Sequence, residues 1–220
     1  MKAPRVYVSE GAFLQLLVSS VELYPNNGLE VKQKREEKDG EAFGYVFGSR
    51  TMQQKRAVYR VDFVVPCQRV RRRSYLSVEP CSVAEARVLS VLSPFPGLDL
   101  LGTFHSHLYT NEELFEIPGS VEPSKGDHQS WRSWWDDQRK GRIGLELIVG
   151  LKELKRRGRR QTQAKENCVT GRWEKFAYAI GAWYTTKKRA DSTKQALLRP
   201  AHWLICPAAF GFTREDLRDD

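Results

Sequence analysis

The sequence predicts one α/β domain of the mixed α+β kind. Strand-like and helix-like segments alternate irregularly along its 220 residues, with no internal repeat. That length fits one domain with insertions better than two. At 40% apolar and 11% aromatic residues the chain can bury a substantial core, which excludes intrinsic disorder for its bulk.

Val6–Val8 reads as a short strand, and Ser9 as the N-cap of the helix that follows. In that helix Leu14, Leu17, Val18 and Val21 fall at i, i+3, i+4 and i+7, the spacing of a core-facing stripe. Pro25-Asn26-Asn27-Gly28 ends it, and the lysine-rich stretch 31–40 reads as a mobile loop. Ala42–Phe47 is a short apolar strand between Gly40 and Gly48. Tyr59, Val61, Phe63 and Val65 alternate with Arg60, Asp62 and Val64, which marks a strand with one buried face. Ser82-Val83-Ala84-Glu85 matches a capping box and opens a helix to about Leu92. Pro94 and Pro96 separate it from a strand at Leu98–His105. A further helix is expected from near Ser124, with Trp131, Trp134 and Trp135 as core residues on one face. Ile143–Val149 and Glu174–Tyr184 read as strands, and the apolar stretch Leu197–Phe212 as a segment docked on the body. The domain therefore spans 1–213, with inserted loops near 26–40, 108–122 and 151–171 and a flexible tail at 214–220.

Lys plus Arg outnumber Asp plus Glu by 36 to 27, a net charge of +9. That balance suits an acidic partner, whether nucleic acid, an anionic surface or an acidic protein. Arg69, Arg71, Arg72 and Arg73 form one basic cluster, and Lys152–Lys165 carries seven positive charges against one at Glu153. A nucleic-acid strip would need aromatic residues to stack on bases, and none interleave with Lys152–Lys165. The clusters read instead as a solvated hairpin or a docking surface, so nucleic acid is not the expected partner. Cys67, Cys81, Cys168 and Cys206 stand far apart without a CxxC pair, which argues against a zinc knuckle or thioredoxin-type site and fits thiols in a reducing compartment. The apolar run Gly11–Val18 is broken by Gln15 and lacks a cleavage site, so it is a poor signal peptide. No segment approaches the roughly 20 apolar residues of a membrane span. The expectation is a soluble, cytoplasmic protein.

Three of the four histidines lie between positions 105 and 128. His105 and His107 end a predicted strand as H-x-H, and strand residues at i and i+2 share a face, so both imidazoles can meet one ion. Pro123-Ser124-Lys125-Gly126-Asp127 precedes the tryptophan-bearing helix. Ser124 is a natural N-cap, and Asp127 sits in the first turn, where a carboxylate is favoured. Glu41 enters a strand with glycines three and seven residues on, at Gly44 and Gly48. Singly, these read as a polar strand end, an ordinary helix start and a solvated glutamate.

Together, in the order E-x-x-G-x-x-x-G, H-S-H and P-S-x-x-D, they resemble the JAMM (MPN-plus) family of zinc metalloproteases over roughly Val6 to Val149. The resemblance implies an MPN-like domain, a curved mixed sheet flanked by helices with a zinc site at a strand end and a helix N-terminus. It implies His105, His107 and Asp127 as ligands of a catalytic Zn²⁺, Glu41 as general base and acid, and Ser124 as oxyanion donor. The donor set by itself also fits non-haem Fe(II). Sixteen residues, Leu108–Pro123, separate the second histidine from the serine, more than the family's usual spacing. Glu112, Glu113 and Glu116 in that segment are rival ligands, and Glu36 and Glu37 are rival bases.

The implied substrate is a peptide or isopeptide bond following the tail of a ubiquitin-like protein, by deconjugation, precursor trimming or both. A stand-alone catalytic domain is similar to bacterial versions that act beside E1-like and E2-like proteins, some in antiviral defence. Two other classes stay open, a RadC-like nucleic-acid-associated protein and a non-catalytic MPN scaffold.

Overall fold

A computed structural model describes residues 2–24, 40–73, 78–92, 94–95, 97–109, 119–128, 144–156, 162–186 and 197–210. The strands are β1 (Lys2–Val8), β2 (Phe43–Gln53), β3 (Arg56–Pro66), β4 (Val70–Arg73), β5 (Val78–Pro80), β6 (Asp99–Tyr109), β7 (Leu145–Glu153), β8 (Thr162–Lys165), β9 (Cys168–Trp173), β10 (Phe176–Thr186), β11 (Leu197–Pro200) and β12 (Trp203–Ile205). Two longer helices are α1 (Glu10–Glu22) and α2 (Ser82–Leu92). Short helical turns stand at Gly119–Val121, 125–128 and Pro207–Phe210.

Ten strands join one sheet in the order β12-β1-β3-β2-β6-β7-β10-β9-β8, with β11 also on β10; β4 and β5 form a separate hairpin. The pairs β1–β12, β1–β3 and β6–β7 are parallel, and the other pairs of the large sheet are antiparallel. The sheet curls until its ends nearly meet. Leu204 N–H in β12 donates to Glu166 O in the β8–β9 turn at 2.8 Å. Thr162 Oγ1 in β8 donates to Ala209 O at 2.6 Å. Near closure of this kind removes most of the unpaired edge an open sheet would leave.

This corrects the expected fold class. Among the described residues strand outweighs helix by 55% to 24%, and a nearly closed, mostly β barrel replaces an α/β sheet flanked by helices. The missing strands explain the error. β8 lies inside 151–171, expected as an inserted loop, and β9 begins there, while β11 and β12 lie in the stretch Leu197–Phe212. They are three to six residues long. Strands so short leave no long apolar run to recognise. The helix from near Ser124 is seen over 125–128, while Trp131, Trp134 and Trp135, the loop at 26–39 and the tail at 214–220 lie outside the described residues.

The helix α1 lies along the inner face. Ser9 caps it, its Oγ accepting from Ala12 N–H at 3.2 Å. Phe13, Leu16 and Leu17 pack with Val6, Tyr59, Phe104, Leu147 and Ile180 in the main core, and Phe13 meets Tyr178 edge to face at 5.7 Å. The stripe predicted for the core is displaced by one position. Leu14 and Val18 are 40% and 64% exposed, while Ser19 and Ser20 are buried. Their hydroxyls donate back to Gln15 O and Leu16 O, which satisfies them and hides a buried face that periodicity read as polar. Leu14, Val18 and Val21 instead line an external apolar groove with Trp173 and Phe176.

The outer face carries two smaller clusters. Phe43, Tyr45, Phe47 and Cys67 pack under α2 and the β4–β5 hairpin. Val121, Ile148, Cys168 and Ala179 pack under the 119–121 turn. β6 and β7 approach so closely at Gly102 that a Cβ there would strike the Leu145 carbonyl. No helix among the described residues is long and apolar enough to cross a membrane.

Gly102→Ala should therefore lower stability by about 1–3 kcal/mol through overpacking at the β6–β7 seam. A urea titration with unchanged midpoint would refute this. Burial pushes the thiols of Cys168 and Cys206 up to about 11 and about 12, and the Tyr59 phenol up to about 12. Acids raised on folding stabilise the native chain below their ordinary pKa and lose that contribution as pH climbs toward the folded value. Thermal stability should hold to about pH 8.5 and fall above it. Replacing both cysteines by alanine should flatten that alkaline slope in a melting series from pH 7 to 10.5.

Candidate metal centre

β6 and β7 run parallel with Thr103 opposite Glu146, His105 opposite Ile148 and His107 opposite Gly150. Alternation sends Phe104 inward to the main core and His105 and His107 to the outer face. His105 is 5% exposed, and its Nε2 stands 3.1 Å from His107 Nε2. Asp127 arrives from the 125–128 turn, with Oδ1 3.3 Å from His105 Nε2 and Oδ2 3.3 Å from His107 Nε2. Among the described residues this trio is the one group of three His, Cys, Asp or Glu side chains that could hold a metal ion.

The spacing itself tests the fit. Ligand atoms 2.0–2.1 Å from a tetrahedral ion lie about 3.3 Å apart along each edge. His105 Nε2 and His107 Nε2, 3.1 Å apart, stand close to one such edge, and Asp127 reaches the two rings at 3.3 Å each through different oxygens, Oδ1 and Oδ2. The trio could therefore hold a metal ion through two imidazole nitrogens and a carboxylate oxygen.

The loop that returns Asp127 is seated by missing side chains. A Cβ at Gly150 would press on Ser120, and one at Gly181 on Val121. Trp183 Nε1–H donates to Val121 O at 2.8 Å and fixes the same turn. Ser124 then caps the next turn: its Oγ accepts from Asp127 N–H at 3.1 Å, and Asp127 Oδ2 accepts from Ser124 N–H at 2.6 Å. This reciprocal box aims the Asp127 carboxylate. It uses the acceptor side of the Ser124 hydroxyl, so the O–H hydrogen remains available to a ligand on this exposed residue.

Glu41 is 6% exposed and precedes β2. The register Phe43 opposite His105 continues through Ala42, whose N–H donates to Ser106 Oγ at 2.8 Å and whose carbonyl accepts from Ser106 N–H at 2.9 Å. One step further brings Glu41 abreast of His107. Gly44 permits this pairing, since a Cβ there would meet Phe104 and the Val65 carbonyl. The rival residues Glu36, Glu37, Glu112, Glu113 and Glu116 lie outside the described residues.

The electrostatics are strongly perturbed. Burial pushes the Glu41 carboxyl up to about 8, with His105 opposing and Asp127 reinforcing the shift. Burial disfavours the His105 imidazolium, yet bonds to Asp127 and Glu146 outweigh it and hold that ring well above its ordinary pKa. Burial also works against the Asp127 carboxylate, but the two histidines keep it ionised far below the usual range. Burial and the charges of Glu41 and Asp127 raise the Tyr109 phenol beside the site. The pocket thus favours positive charge, whether a proton on His105 or a cation between the ligands.

Sequence reading missed Glu146 and Thr103. Glu146 is fully buried, its Oε1 2.5 Å from His105 Nδ1 and its Oε2 accepting from Thr103 Oγ1 at 2.5 Å. The available signal was a single carboxylate inside the apolar run Leu145–Leu151. No protein-family model matches the chain, and no curated protein matches it.

Gly181→Val should unseat the 119–121 turn and weaken metal uptake at least tenfold, roughly the cost elsewhere of losing a group that holds a metal ligand in place. Competition with a chromophoric chelator measures it, and an unchanged affinity would disprove the seating role.

Proposed function

We propose that the chain is a zinc-dependent peptidase or isopeptidase that cleaves after the C-terminal tail of a ubiquitin-like protein. The observation that carries the chemistry is the convergence of His105, His107 and Asp127 beside Glu41, a buried carboxyl that burial pushes up to about 8. The E-x-x-G, H-S-H and P-S-x-x-D pattern, which resembles JAMM metalloproteases, supports the substrate class and the choice of zinc. This rests on the site and not on the body around it, whose mostly β architecture departs from the expectation.

In the proposed reaction His105, His107 and Asp127 hold the ion, which when bound polarises the scissile carbonyl and lowers the pKa of water to about 7. Glu41 takes a proton from the attacking water and delivers it to the departing amine as the C–N bond breaks. Ser124 donates its O–H to the carbonyl oxygen as charge develops there, a contact worth about 3 kcal/mol in comparable sites. An extended tail laid beside the site would be recognised through main-chain hydrogen bonds, with small residues favoured next to the ion. Partners in this reading are the ubiquitin-like substrate or conjugate and E1-like and E2-like proteins of one conjugation system, with antiviral defence as one setting.

Incubation with ubiquitin-like proteins fused through their tails to a reporter tests the proposal. Release of the reporter should stop in excess chelator and return with zinc. Glu41→Gln should slow it by about 10²–10⁴-fold with metal still bound. Cleavage that persists in chelator would reject the mechanism.

A further inference from the structure

We infer that Glu146, anchored by Thr103, is the positioning residue that makes His105 a metal ligand. β7 is apolar on both sides of Glu146, and the residue is 0% exposed. Burying a carboxylate in such surroundings is costly unless its oxygens are bonded. Both are: Oε1 faces His105 Nδ1 at 2.5 Å, and Oε2 accepts from Thr103 Oγ1 at 2.5 Å. Thr103 is itself 2% exposed and sits directly opposite Glu146 in the parallel register, with His105 two residues on along the same face.

The consequence follows from the chemistry of imidazole. A neutral ring has one N–H and one lone pair, and whichever nitrogen carries the proton cannot bind a cation. Donation from Nδ1 to Glu146 leaves the lone pair on Nε2, the atom that faces His107 and Asp127. Rotating the ring would strand a buried carboxylate, so orientation and tautomer are fixed together. Packing does not explain the residue, because an apolar side chain of similar volume would serve a strand interior as well or better. The inference rests on reading His105, His107 and Asp127 as a metal site.

The experiment measures zinc and cobalt affinity of purified wild type, E146Q and T103V by chelator competition, with the visible Co²⁺ spectrum as a readout of ligand geometry. Far-UV circular dichroism and metal-free melting establish that each variant is folded. E146Q should bind about 10–100-fold more weakly, with an altered cobalt spectrum, and T103V should shift the same way by less. Folded E146Q with wild-type affinity and spectrum would overturn the role of Glu146 while leaving the metal site intact. Should E146Q not fold, T103V carries the test, and unchanged affinity in folded T103V overturns the inference. A wild type that takes up neither metal would overturn this inference and the metal reading together.

Discussion

The parallel pairing of β6 with β7 is the constraint on which the site depends. One register sets Thr103, His105 and His107 on the outer face, and places Glu146, Ile148 and Gly150 beside them. It puts a buried carboxylate within reach of one imidazole and a side-chain-free notch opposite the other. The notch admits Ser120, and through the 119–121 turn it sets where Asp127 returns. A slip of one residue would turn Phe104 and Ser106 outward and bury the histidines in the main core. Gly102 holds the seam tight by letting the Leu145 carbonyl approach.

How much of this was legible in the sequence depends on the reach of each interaction. H-x-H is a strand-period statement, and Ser124 with Asp127 is a one-turn statement, so local spacing suffices to nominate those side chains. Glu41 is nominated by its glycines, and the structure supplies the reason at Gly44, where Phe104 and Val65 leave no room for a Cβ. Glu146 stands 41 residues from His105 along the chain, and nothing local announces that they touch. The fold class failed for a related reason. Short strands such as β8, β11 and β12 exist because the curling sheet supplies partners for them, as when Glu166 accepts from Leu204, and a lone segment of three or four residues carries little of that information. In α1 the buried serines 19 and 20 concealed which stripe faces inward.

Charge gives the pocket a character opposite to that of the whole molecule. The chain carries a net +9, yet among the described residues three carboxyl groups, Glu41, Asp127 and Glu146, gather around His105 and His107. Each carboxylate is withdrawn from water, where its field acts through a low dielectric and falls off less than at the surface. A single proton shared among these groups answers part of that imbalance. A divalent cation at the centre of the trio answers more of it and satisfies the two inward lone pairs at once.

Asp127 joins two readings that look like competitors in the sequence. S-x-x-D is a common helix start, and it is also where a metal ligand would sit. The carboxylate has the geometry for both: Oδ2 accepts from Ser124 N–H, and the pair of oxygens spans His105 and His107 at 3.3 Å each. Capping fixes the side-chain torsions before any ligand arrives, so little rotamer entropy remains to be lost on binding. Ser124 contributes its acceptor lone pair to the same box and keeps its hydroxyl hydrogen for something outside it. A cap built this way is a rigid support that aims one carboxylate, and an ordinary helix start would not need it turned toward a pair of imidazoles.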